Sequence, residues 1–377
     1  MMRRALDLAE NGYYSASPNP RVGCVIARDN IVIGEGWHKA SGAAHAETIA
    51  LQNAIKYGGD LHNAEVFVNM EPCAHVGKTP SCAAALARAK PAAVHIAALD
   101  PNPLTFGRGA AMLKKAGIAV RVLPPDDVLA RRAVSLNAGF YSRMIRKLPW
   151  VRIKLAATID GKTALANGKS KWLTAKAARD DVHRWRARSC AILTGVGTAE
   201  KDDPLLTVRA FSIPRQPLRV LVDSSLRAPP HLRMFNDGGK TLIATCQKPP
   251  PKKKYGKNTE VVQLPGADDK TDLAALLSLL AARGINEVMV EAGRKLCGAV
   301  FAAGFADELV VYTAARILGD DALPMFASPP PKSINAAPRF AVRSVDTFAP
   351  GDIRVVYENP AAIAAIAGFM RRRSPVV

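Results

Sequence analysis

The sequence predicts an α/β protein built from two domains. Its 377 residues exceed the size at which a single hydrophobic core usually stops growing. Short β-rich runs alternate with helical stretches in two successive series, a pattern typical of layered α/β domains. The segment Arg146–Pro149 separates the series, so we expect one domain at 1–146 and a second at 147–377.

The first series contains strands with helices between them. We predict strands at Val22–Ala27, Ile31–Trp37, Glu65–Met70, Ala93–Leu99 and Ile118–Leu123. We predict helices at His45–Tyr57, Pro80–Ala89 and Gly109–Ala116. An amphipathic helix ending at Asn11-Gly12 precedes them and is interpreted as part of the fold rather than as a signal peptide. Asp126–Met144 is expected to form one longer helix after them.

The second series continues the alternation from Val151 onwards. We predict strands at Val151–Leu155, Ala191–Thr194, Leu218–Asp223, Thr241–Thr245, Glu260–Leu264, Glu287–Glu291, Glu308–Tyr312 and Ile353–Tyr357. Helices fit Thr174–Arg188 and Thr271–Arg283, each with a threonine in the N-cap position and the second ended by Gly284.

Composition narrows the class of protein. No apolar run approaches the ~20 residues that span a bilayer, and we expect a cytoplasmic protein. The net charge of +20 suits nucleic acid, yet the basic residues are dispersed and the aromatic fraction of 6% leaves few rings for base stacking. A solvated surface or a phosphorylated small substrate is favoured. The six cysteines indicate metal binding or burial rather than disulfides.

A metal-binding pattern lies in the first half. His45 opens a helix, Cys73 follows a strand, and Cys82 comes after a further loop. One imidazole and two thiolates supply three zinc ligands and leave a fourth position for water, as in catalytic sites. Zinc lowers the pKa of such a water toward ~7. Glu47 is too close to His45 in sequence to bind the same metal easily, so we expect it to transfer protons.

The spacing of the two cysteines departs from the general zinc-deaminase signature, which has two residues between them. Here eight residues separate Cys73 from Cys82. The additional loop carries His75, Lys78 and Thr79, whose side chains suit a polar, phosphorylated ligand.

Short motifs in both halves point to one family. In the first half they are Ser17–Cys24, His45–Glu47, Glu71–Cys82 and Asp100–Pro103. In the second half they are Lys154–Lys162, Ser170–Thr174, Thr194–Thr198, Asp202–Arg209 and Glu291–Gly293. In this order, and as far as about Tyr357, the chain resembles the bifunctional deaminase/reductase family of riboflavin biosynthesis.

The resemblance implies a cytidine-deaminase-like three-layer domain followed by a dihydrofolate-reductase-like domain, with zinc and NADPH as cofactors. It implies that the first domain removes the 2-amino group of a diaminopyrimidinone ribosylamine 5′-phosphate as ammonia. The second domain would then reduce the ribosyl side chain to a ribityl chain. The partner is thus a phosphorylated pyrimidine rather than nucleic acid or a membrane, and a homo-oligomer is expected.

The resemblance also implies roles for individual residues. Zinc would be bound by His45, Cys73 and Cys82, with Glu47 as the proton shuttle. The deaminase substrate would contact Asn19, His75, Lys78, Thr79, Asp100 and Asn102. The reductase substrate would contact Ser170, Arg186, Leu206, Arg209 and Glu291. NADPH would contact Ala156, Trp172, Thr198, Asp202, Ser224 and Gly293. Read without the resemblance, Trp172 fits a core residue and Asp202 a turn residue.

Two alternative functions and the role of one residue pair stay open at this point. A nucleic-acid-editing deaminase shares the zinc chemistry and would suit the charge, but the long second domain and the cysteine spacing disfavour it. A non-catalytic zinc-stabilised binding protein is disfavoured by Glu47 and by the open ligand position. Arg294-Lys295 departs from the family pattern: the pair either contacts NADPH phosphates, including the 2′-phosphate, or is a solvated surface feature.

Overall fold

The computed structural model describes residues 1–56, 61–74, 81–249 and 255–373. The chain divides into two compact units. Unit 1 comprises 1–147 together with the residues from Ala364 onwards, and unit 2 is Leu148–Ile363. The units differ from the predicted domain ranges in placing the residues from Ala364 with unit 1.

Within the described residues, unit 1 contains a five-stranded sheet. Its strands are β1 (Gly23–Arg28), β2 (Ile31–Trp37), β3 (Glu65–Val68), β4 (Ala93–Ile96) and β5 (Ala119–Val122), in the order β2-β1-β3-β4-β5. Strand β1 pairs antiparallel with β2 and β3, whereas β3, β4 and β5 are parallel. Its helices are α1 (Met2–Glu10), α2 (Ala46–Lys56), α3 (Cys82–Ala89), α4 (Arg108–Lys115), α5 (Val128–Leu136) and α6 (Ala138–Arg146).

Three layers result from the alternation of side chains along β1. Cys24 and Ile26 lie in one buried cluster with α2, α3 and α4. Gly23 faces the opposite way, where a Cβ atom would come within 2.1 Å of the Ala5 carbonyl oxygen in α1. The predicted strands and the three predicted helices of this half are confirmed, although Tyr57 and Pro80 at their ends lie outside the described residues.

Helix α2 lies unusually close to the sheet because two glycines of β2 face it. A Cβ atom at Gly34 would lie 2.4 Å from the Ala50 carbonyl oxygen, and one at Gly36 would lie 2.7 Å from the Ala46 carbonyl oxygen. No side chain fits in this space. The close packing fixes the first turn of α2, which contains Glu47, against β2.

The prediction of a single helix at Asp126–Met144 is wrong. Two helices, α5 and α6, meet at Asn137, whose backbone leaves the helical region (φ −112°, ψ 21°). The Arg21 N–H donates to Asn137 Oδ1 (2.7 Å), and Asn137 Nδ2 donates to the Arg21 carbonyl (3.0 Å). These two buried hydrogen bonds tie Asn137 to the segment before β1. They compete with continuation of the helix, because an Asn side chain that bonds to backbone groups offers an alternative to helical hydrogen bonding.

In the part of the chain that the structure describes, unit 2 contains a nine-stranded sheet with the order β11-β10-β9-β8-β12-β6-β13-β16-β15. Its strands are β6 (Trp150–Thr158), β8 (Ala191–Gly195), β9 (Leu218–Val222), β10 (Thr241–Thr245), β11 (Thr259–Gln263), β12 (Glu287–Val290), β13 (Glu308–Ala314), β15 (Ala341–Phe348) and β16 (Asp352–Glu358). Strands β7 (Lys162–Ala164) and β14 (Leu323–Pro324) form a separate pair. The sheet is parallel from β11 to β13, and β16 and β15 continue it antiparallel.

Helices cover both faces of this sheet. They are α7 (Lys176–Arg188), α8 (Val196–Asp202), α9 (Arg233–Asn236), α10 (Leu273–Ala282) and α11 (Arg294–Ala302), and α12 (Pro360–Arg373) ends the described chain. One buried cluster joins the sheet to α10 and α11. Two further clusters join the other face to α7, α8 and α9. The parallel strands therefore have both faces covered, as such sheets require.

The eight strands predicted for the second series are confirmed, but both predicted threonine N-caps are wrong. The N-cap of α10 is Asp272, whose carboxylate accepts the Ala275 N–H (2.9 Å). The N-cap of α7 is Ala175, whose own N–H donates to Asp352 (2.6 Å). Gly284 ends α10 at φ +82°, as predicted.

Two global expectations can be compared with the structure. All six cysteines lie in the described residues, and none is part of a disulfide. None of the helices in the described part of the chain combines the length and the apolar character needed to cross a membrane.

Candidate active sites

The three predicted zinc ligands lie together. His45 directly precedes α2, Cys73 follows β3, and Cys82 is the first residue of α3. His45 Nδ1 is 3.2 Å from Cys82 Sγ and 3.6 Å from Cys73 Sγ, and all three ligand atoms lie within 4.8 Å of one another. One nitrogen and two sulfur donors at this separation fit a tetrahedral zinc ion with one further position for water.

The electrostatics of this cluster favour a bound cation. The hydrogen bond that Cys73 Sγ accepts from Cys82 lowers the pKa of the Cys73 thiol, and its contact with His45 acts in the same direction. The Cys82 backbone N–H also donates to Cys73 Sγ (3.3 Å). Metal binding requires a thiolate, which this arrangement stabilises.

Glu47 lies in the first turn of α2, beside the cluster, and is 3% exposed. Burial raises the pKa of Glu47 to about 7, and the nearby Cys73 thiolate acts in the same direction. A zinc ion would oppose both effects because its charge favours the ionised carboxylate. The position of Glu47, rather than its titration, therefore qualifies it for proton transfer.

A cavity of about 310 Å³ adjoins the cluster. Glu47, Asn19, Asp100 and Asn102 line it together with His45 and Cys73, so three of the predicted deaminase substrate residues lie beside the predicted metal site. Burial raises the pKa of Asp100 to about 7. His75, Lys78 and Thr79, the other three predicted residues of this pocket, lie outside the described residues.

His38 is a cavity residue that the sequence analysis missed. Its Nδ1 lies 3.1 Å from the Ala44 carbonyl oxygen and its Nε2 lies 3.1 Å from Asn19 Nδ2. Because the carbonyl can only accept, Nδ1 carries the proton and Nε2 accepts from Asn19. Burial lowers the pKa of His38, in keeping with this neutral form. A lone histidine after a strand belongs to no motif, so the sequence offered no signal.

Helix α6 supplies another missed part of the cavity lining. Phe140, Arg143 and Met144 reach the cavity from this helix. They could not be anticipated, because the break at Asn137 that orients α6 depends on a contact with Arg21 far away in sequence.

Three of the predicted reductase substrate residues lie together in unit 2. Arg186 Nε and Nη2 donate to the two carboxylate oxygens of Glu291 (2.7 and 2.8 Å). Thr207 connects this pair to Arg209: its carbonyl accepts from Arg186 Nη1 (3.2 Å), and its hydroxyl oxygen accepts from Arg209 Nη1 (3.4 Å). Two guanidinium groups that both bond to Thr207 suit a phosphate or a polar sugar chain.

The other two predicted substrate residues differ in what they offer. Ser170 is half-buried in the segment before α7. The side chain of Leu206 is buried in a hydrophobic cluster with Ile192 and Leu221, and its backbone adopts φ +53°. Only the backbone of Leu206 can therefore face a substrate.

Lys154 is a second residue that the sequence analysis did not assign. It lies in β6, and burial lowers the pKa of its ammonium group while the charge of Glu291 acts against this shift. The available signal was a charged residue inside an apolar run, because central strands of parallel sheets are normally apolar throughout. Lys154, whose Nζ lies 5.6 Å from the centre of the Tyr312 ring, thus adds a third cationic side chain whose charge acts on Glu291.

Three of the predicted NADPH residues lie at the carboxyl ends of parallel strands, where open α/β sheets bind dinucleotides. Thr198 follows β8 and Gly293 follows β12, and the Gly293 N–H donates to Thr198 Oγ1 (3.1 Å). Gly293 is the N-cap of α11 and has no side chain to cap it, which suits a phosphate at this helix end. Ser224 follows β9, but its hydroxyl already accepts the Thr271 N–H (2.9 Å).

The other three predicted NADPH residues lie in different parts of unit 2. Ala156 lies in β6, next to Leu155 of the core. Asp202 pairs with Lys171 (3.0 Å). Trp172 is 63% exposed with the Arg179 guanidinium 4.5 Å above its ring, so its interpretation as a core residue is wrong.

Sequence comparisons identify the family. Residues 149–352 match the family described as RibD C-terminal domain, and residues 1–98 match the cytidine and deoxycytidylate deaminase zinc-binding region. The riboflavin biosynthesis protein RibD of Escherichia coli is 38% identical over 361 residues, covering 93% of this chain and 96% of the relative. The chain belongs to the RibD family. RibD of Chlamydia trachomatis is 42% identical over 332 residues, covering 86% of each chain.

Solved structures of RibD proteins agree over nearly the whole length. Acinetobacter baumannii RibD, form 1, has a TM-score of 0.84 at 36% identity, covering 95% of this chain and 97% of its own. The Thermotoga maritima deaminase/reductase has the same TM-score at 31% identity with the same coverage.

Membership of the RibD family confirms the predicted fold, cofactors and general function. The chain is a bifunctional deaminase/reductase of riboflavin biosynthesis, with a zinc-binding deaminase domain and an NADPH-dependent reductase domain. It acts on a small-molecule substrate, as RibD enzymes do.

Proposed function

We propose that the chain deaminates 2,5-diamino-6-ribosylamino-4(3H)-pyrimidinone 5′-phosphate and then reduces the product to 5-amino-6-ribitylaminouracil 5′-phosphate. The observation that carries the first reaction is that Glu47, His45, Cys73 and Asp100 line one and the same cavity. The Thermotoga maritima relative is named for a deaminase and a reductase acting on such pyrimidines.

The two activities are assigned to the two halves of the chain, the deaminase to 1–146 and the reductase to 147–377. The passage from unit 1 to unit 2 after Lys147 supports this boundary. The matches of 1–98 and 149–352 to the two domain families support the same order.

In the deaminase, His45, Cys73 and Cys82 are the proposed zinc ligands. Zinc, when bound, supplies Lewis-acid activation of water. Glu47 accepts a proton from the attacking water and delivers it to the amino group, which departs as ammonia. Its burial in the cavity beside the ligand cluster, at the start of a tightly packed helix, supports this role.

Recognition of the deaminase substrate is assigned to the polar lining of the cavity. Asn19, held by His38, and the loop residues Asp100 and Asn102 orient the base and the ribosyl group. His75, Lys78 and Thr79 are proposed to contact the phosphate on the strength of the family resemblance alone.

In the reductase, Arg209 and the Arg186–Glu291 pair face the phosphorylated substrate, joined by Ser170 and the backbone of Leu206. The proximity of the two guanidinium groups across Thr207 supports this assignment. NADPH supplies the reducing equivalents. Its proposed contacts are Ala156, Trp172, Thr198, Asp202, Ser224 and Gly293.

The test is to supply the diaminopyrimidinone substrate with NADPH and to follow ammonia release and NADPH consumption together. We expect one ammonia released for each NADPH consumed, with no ammonia from cytidine or deoxycytidylate. Release of ammonia from tRNA or single-stranded DNA, with binding in a mobility-shift assay, would contradict the small-molecule assignment. The cytoplasmic location and the homo-oligomeric state stay predictions, and sedimentation velocity tests the second.

A further inference from the structure

A single carboxylate oxygen holds both ends of the loop that carries Asp100 and Asn102. Glu71 Oε2 accepts the Asp100 N–H (3.3 Å) at the start of the loop and the Gly107 N–H (3.0 Å) at its end. Glu71 is 3% exposed and precedes the metal-ligating Cys73 by two positions. The loop 100–107 is therefore closed on a side chain from the segment that ends in the metal site.

The second oxygen of Glu71 fixes the helix that follows the loop. Glu71 Oε1 accepts the Ala110 N–H (3.1 Å) in the first turn of α4. The N-cap of α4 is Gly107, which has no side chain to accept such a bond, so Glu71 takes that role from another segment.

The start of α4 also touches the backbone before the metal ligand. A Cβ atom at Gly109 would lie 2.0 Å from the Pro72 carbonyl oxygen, so only glycine permits this approach. Glu71 and the peptide before Cys73 thus pack directly against the N-terminus of α4.

Hydrogen bonds inside the loop fix its two pocket residues relative to each other. Asp100 Oδ1 accepts the Asn102 N–H (2.8 Å), and Asn102 Oδ1 accepts the Leu104 N–H (3.1 Å). The Phe106 N–H donates to the Asn102 carbonyl (2.8 Å). These bonds are internal to the loop, whereas the bonds of Glu71 set its distance from the metal cluster.

We propose that Glu71 is a positioning residue of the deaminase, which places Asp100 and Asn102 at the correct distance from Glu47 and the metal ligands. The inference rests on the proposed function, since it takes Asp100 and Asn102 to contact the substrate. Glu71 acts through the loop, because its oxygens face backbone N–H groups.

The test compares Glu71→Gln and Glu71→Ala with Glu65→Gln, a control that removes a half-exposed carboxylate from the start of β3. In Glu71→Gln the amide NH₂ faces at least one backbone N–H, so we expect the KM for ammonia release to rise about tenfold and kcat to change less than about threefold. Zinc content and turnover of the already deaminated intermediate should match the control. A fall in kcat and zinc content at unchanged KM would overturn the proposal.

A double-mutant cycle with Asn102→Ala separates positioning from general destabilisation. If Glu71 acts through the loop, the fold-increase in KM of the double variant is smaller than the product of the fold-increases of the two single variants. Multiplicative effects would overturn the proposal, because they would mean that Glu71 and Asn102 act independently.

A measurement without substrate distinguishes this inference from the proposed function. Amide hydrogen exchange at Gly107 and Ala110 should be faster in Glu71→Gln than in Glu65→Gln, because the acceptor of both N–H groups is altered. Unchanged exchange would overturn the positioning role. Failure of the wild-type protein to release ammonia from the proposed substrate would instead overturn the substrate assignment, with the exchange result standing on its own.

Discussion

Arg186 and Glu291 form an ion pair with two parallel hydrogen bonds of 2.7 and 2.8 Å that links α7 to the loop after β12. Both side chains are mostly buried. Burial alone would raise the pKa of Glu291, but the charge and hydrogen bonds of Arg186 outweigh it and the pKa is lowered. Arg186 thus already has a partner within the protein, whereas the side chain of the exposed Arg209 makes, within the described residues, one long hydrogen bond, to Thr207 Oγ1 (3.4 Å).

The two arginines should therefore respond differently to removal. Arg186→Ala removes the ion-pair and hydrogen-bond partner of a mostly buried carboxylate and leaves it mainly the charge of Lys154, so we expect the free energy of unfolding of unit 2 to fall by about 3 kcal/mol. Arg209→Ala should leave stability nearly unchanged and raise the KM of the reduction roughly 10- to 150-fold, through loss of one charge-assisted contact. Urea denaturation and steady-state kinetics measure these effects. A weakened NADPH affinity in Arg209→Ala would assign this residue to the cofactor instead.

Glu47→Gln should separate the two activities of the chain. We expect the variant to retain about one zinc per chain, since Glu47 is not among the three proposed ligands, and to lose deamination by orders of magnitude. Reduction of the deaminated intermediate should persist. Elemental analysis and the two separate assays check this, with Cys82→Ser as the variant that should lose the metal. Deamination near the wild-type rate would contradict the role of Glu47.

The basic pair Arg294-Lys295 lies at a helix end that suits a phosphate. Arg294 begins α11 and is half-buried, whereas Lys295 is exposed. If the pair contacts the 2′-phosphate, Arg294→Ala/Lys295→Ala weakens NADPH binding more than NADH binding, and added salt reduces the difference in the wild type. Lys114→Ala/Lys115→Ala, another adjacent basic pair at the end of α4, is the control. Equal effects on both cofactors in binding titrations would leave Arg294-Lys295 a surface feature.

Glu308 should contribute to the acid sensitivity of unit 2. Its carboxylate is fully buried and bonded to Arg152 Nε (2.6 Å) and Trp150 Nε1 (3.1 Å). Burial would raise its pKa, but the charge of Arg152 lowers it to about 2, against 4.5 ordinarily. Because the folded-state pKa is depressed, the stabilisation is fully present above pH 4.5 and is lost as the pH falls toward 2.

We therefore expect the free energy of unfolding to fall less between pH 6 and pH 3.5 in Glu308→Gln than in the wild type. Urea titrations at several pH values measure this slope. Glu260→Gln, which removes an exposed carboxylate paired with Arg283, is the control. Parallel pH dependences for Glu308→Gln and the wild type would contradict the assignment.

The candidate site residues that can be found from the sequence are those that belong to contiguous motifs. His45, Glu47 and the two cysteines proposed as ligands can be recognised because zinc chemistry demands particular residue types in a fixed order, and the structure brings His45, Cys73 and Cys82 together. The strands could be predicted equally well, because buried parallel strands are continuous apolar runs bounded by turns.

Roles that depend on partners distant in the sequence could not be predicted. His38 is held by Asn19, and Glu71 binds backbone groups up to 39 positions away. The break between α5 and α6 depends on the bond between Asn137 and Arg21, which are 116 positions apart. No local sequence pattern predicts such contacts, because helix propensity and periodicity depend only on neighbours along the chain.

Helix α12 contributes its last part to unit 1. The Phe369 ring of α12 lies edge-on to Phe106, at 5.8 Å between centroids, and both residues belong to unit 1. Phe106 lies in the loop closed by Glu71. During synthesis, residues 1–147 emerge long before Phe369, so the contact between Phe106 and Phe369 forms only after Leu148–Ile363 has been translated. A fragment comprising 1–147 alone therefore lacks this contact with the loop closed by Glu71.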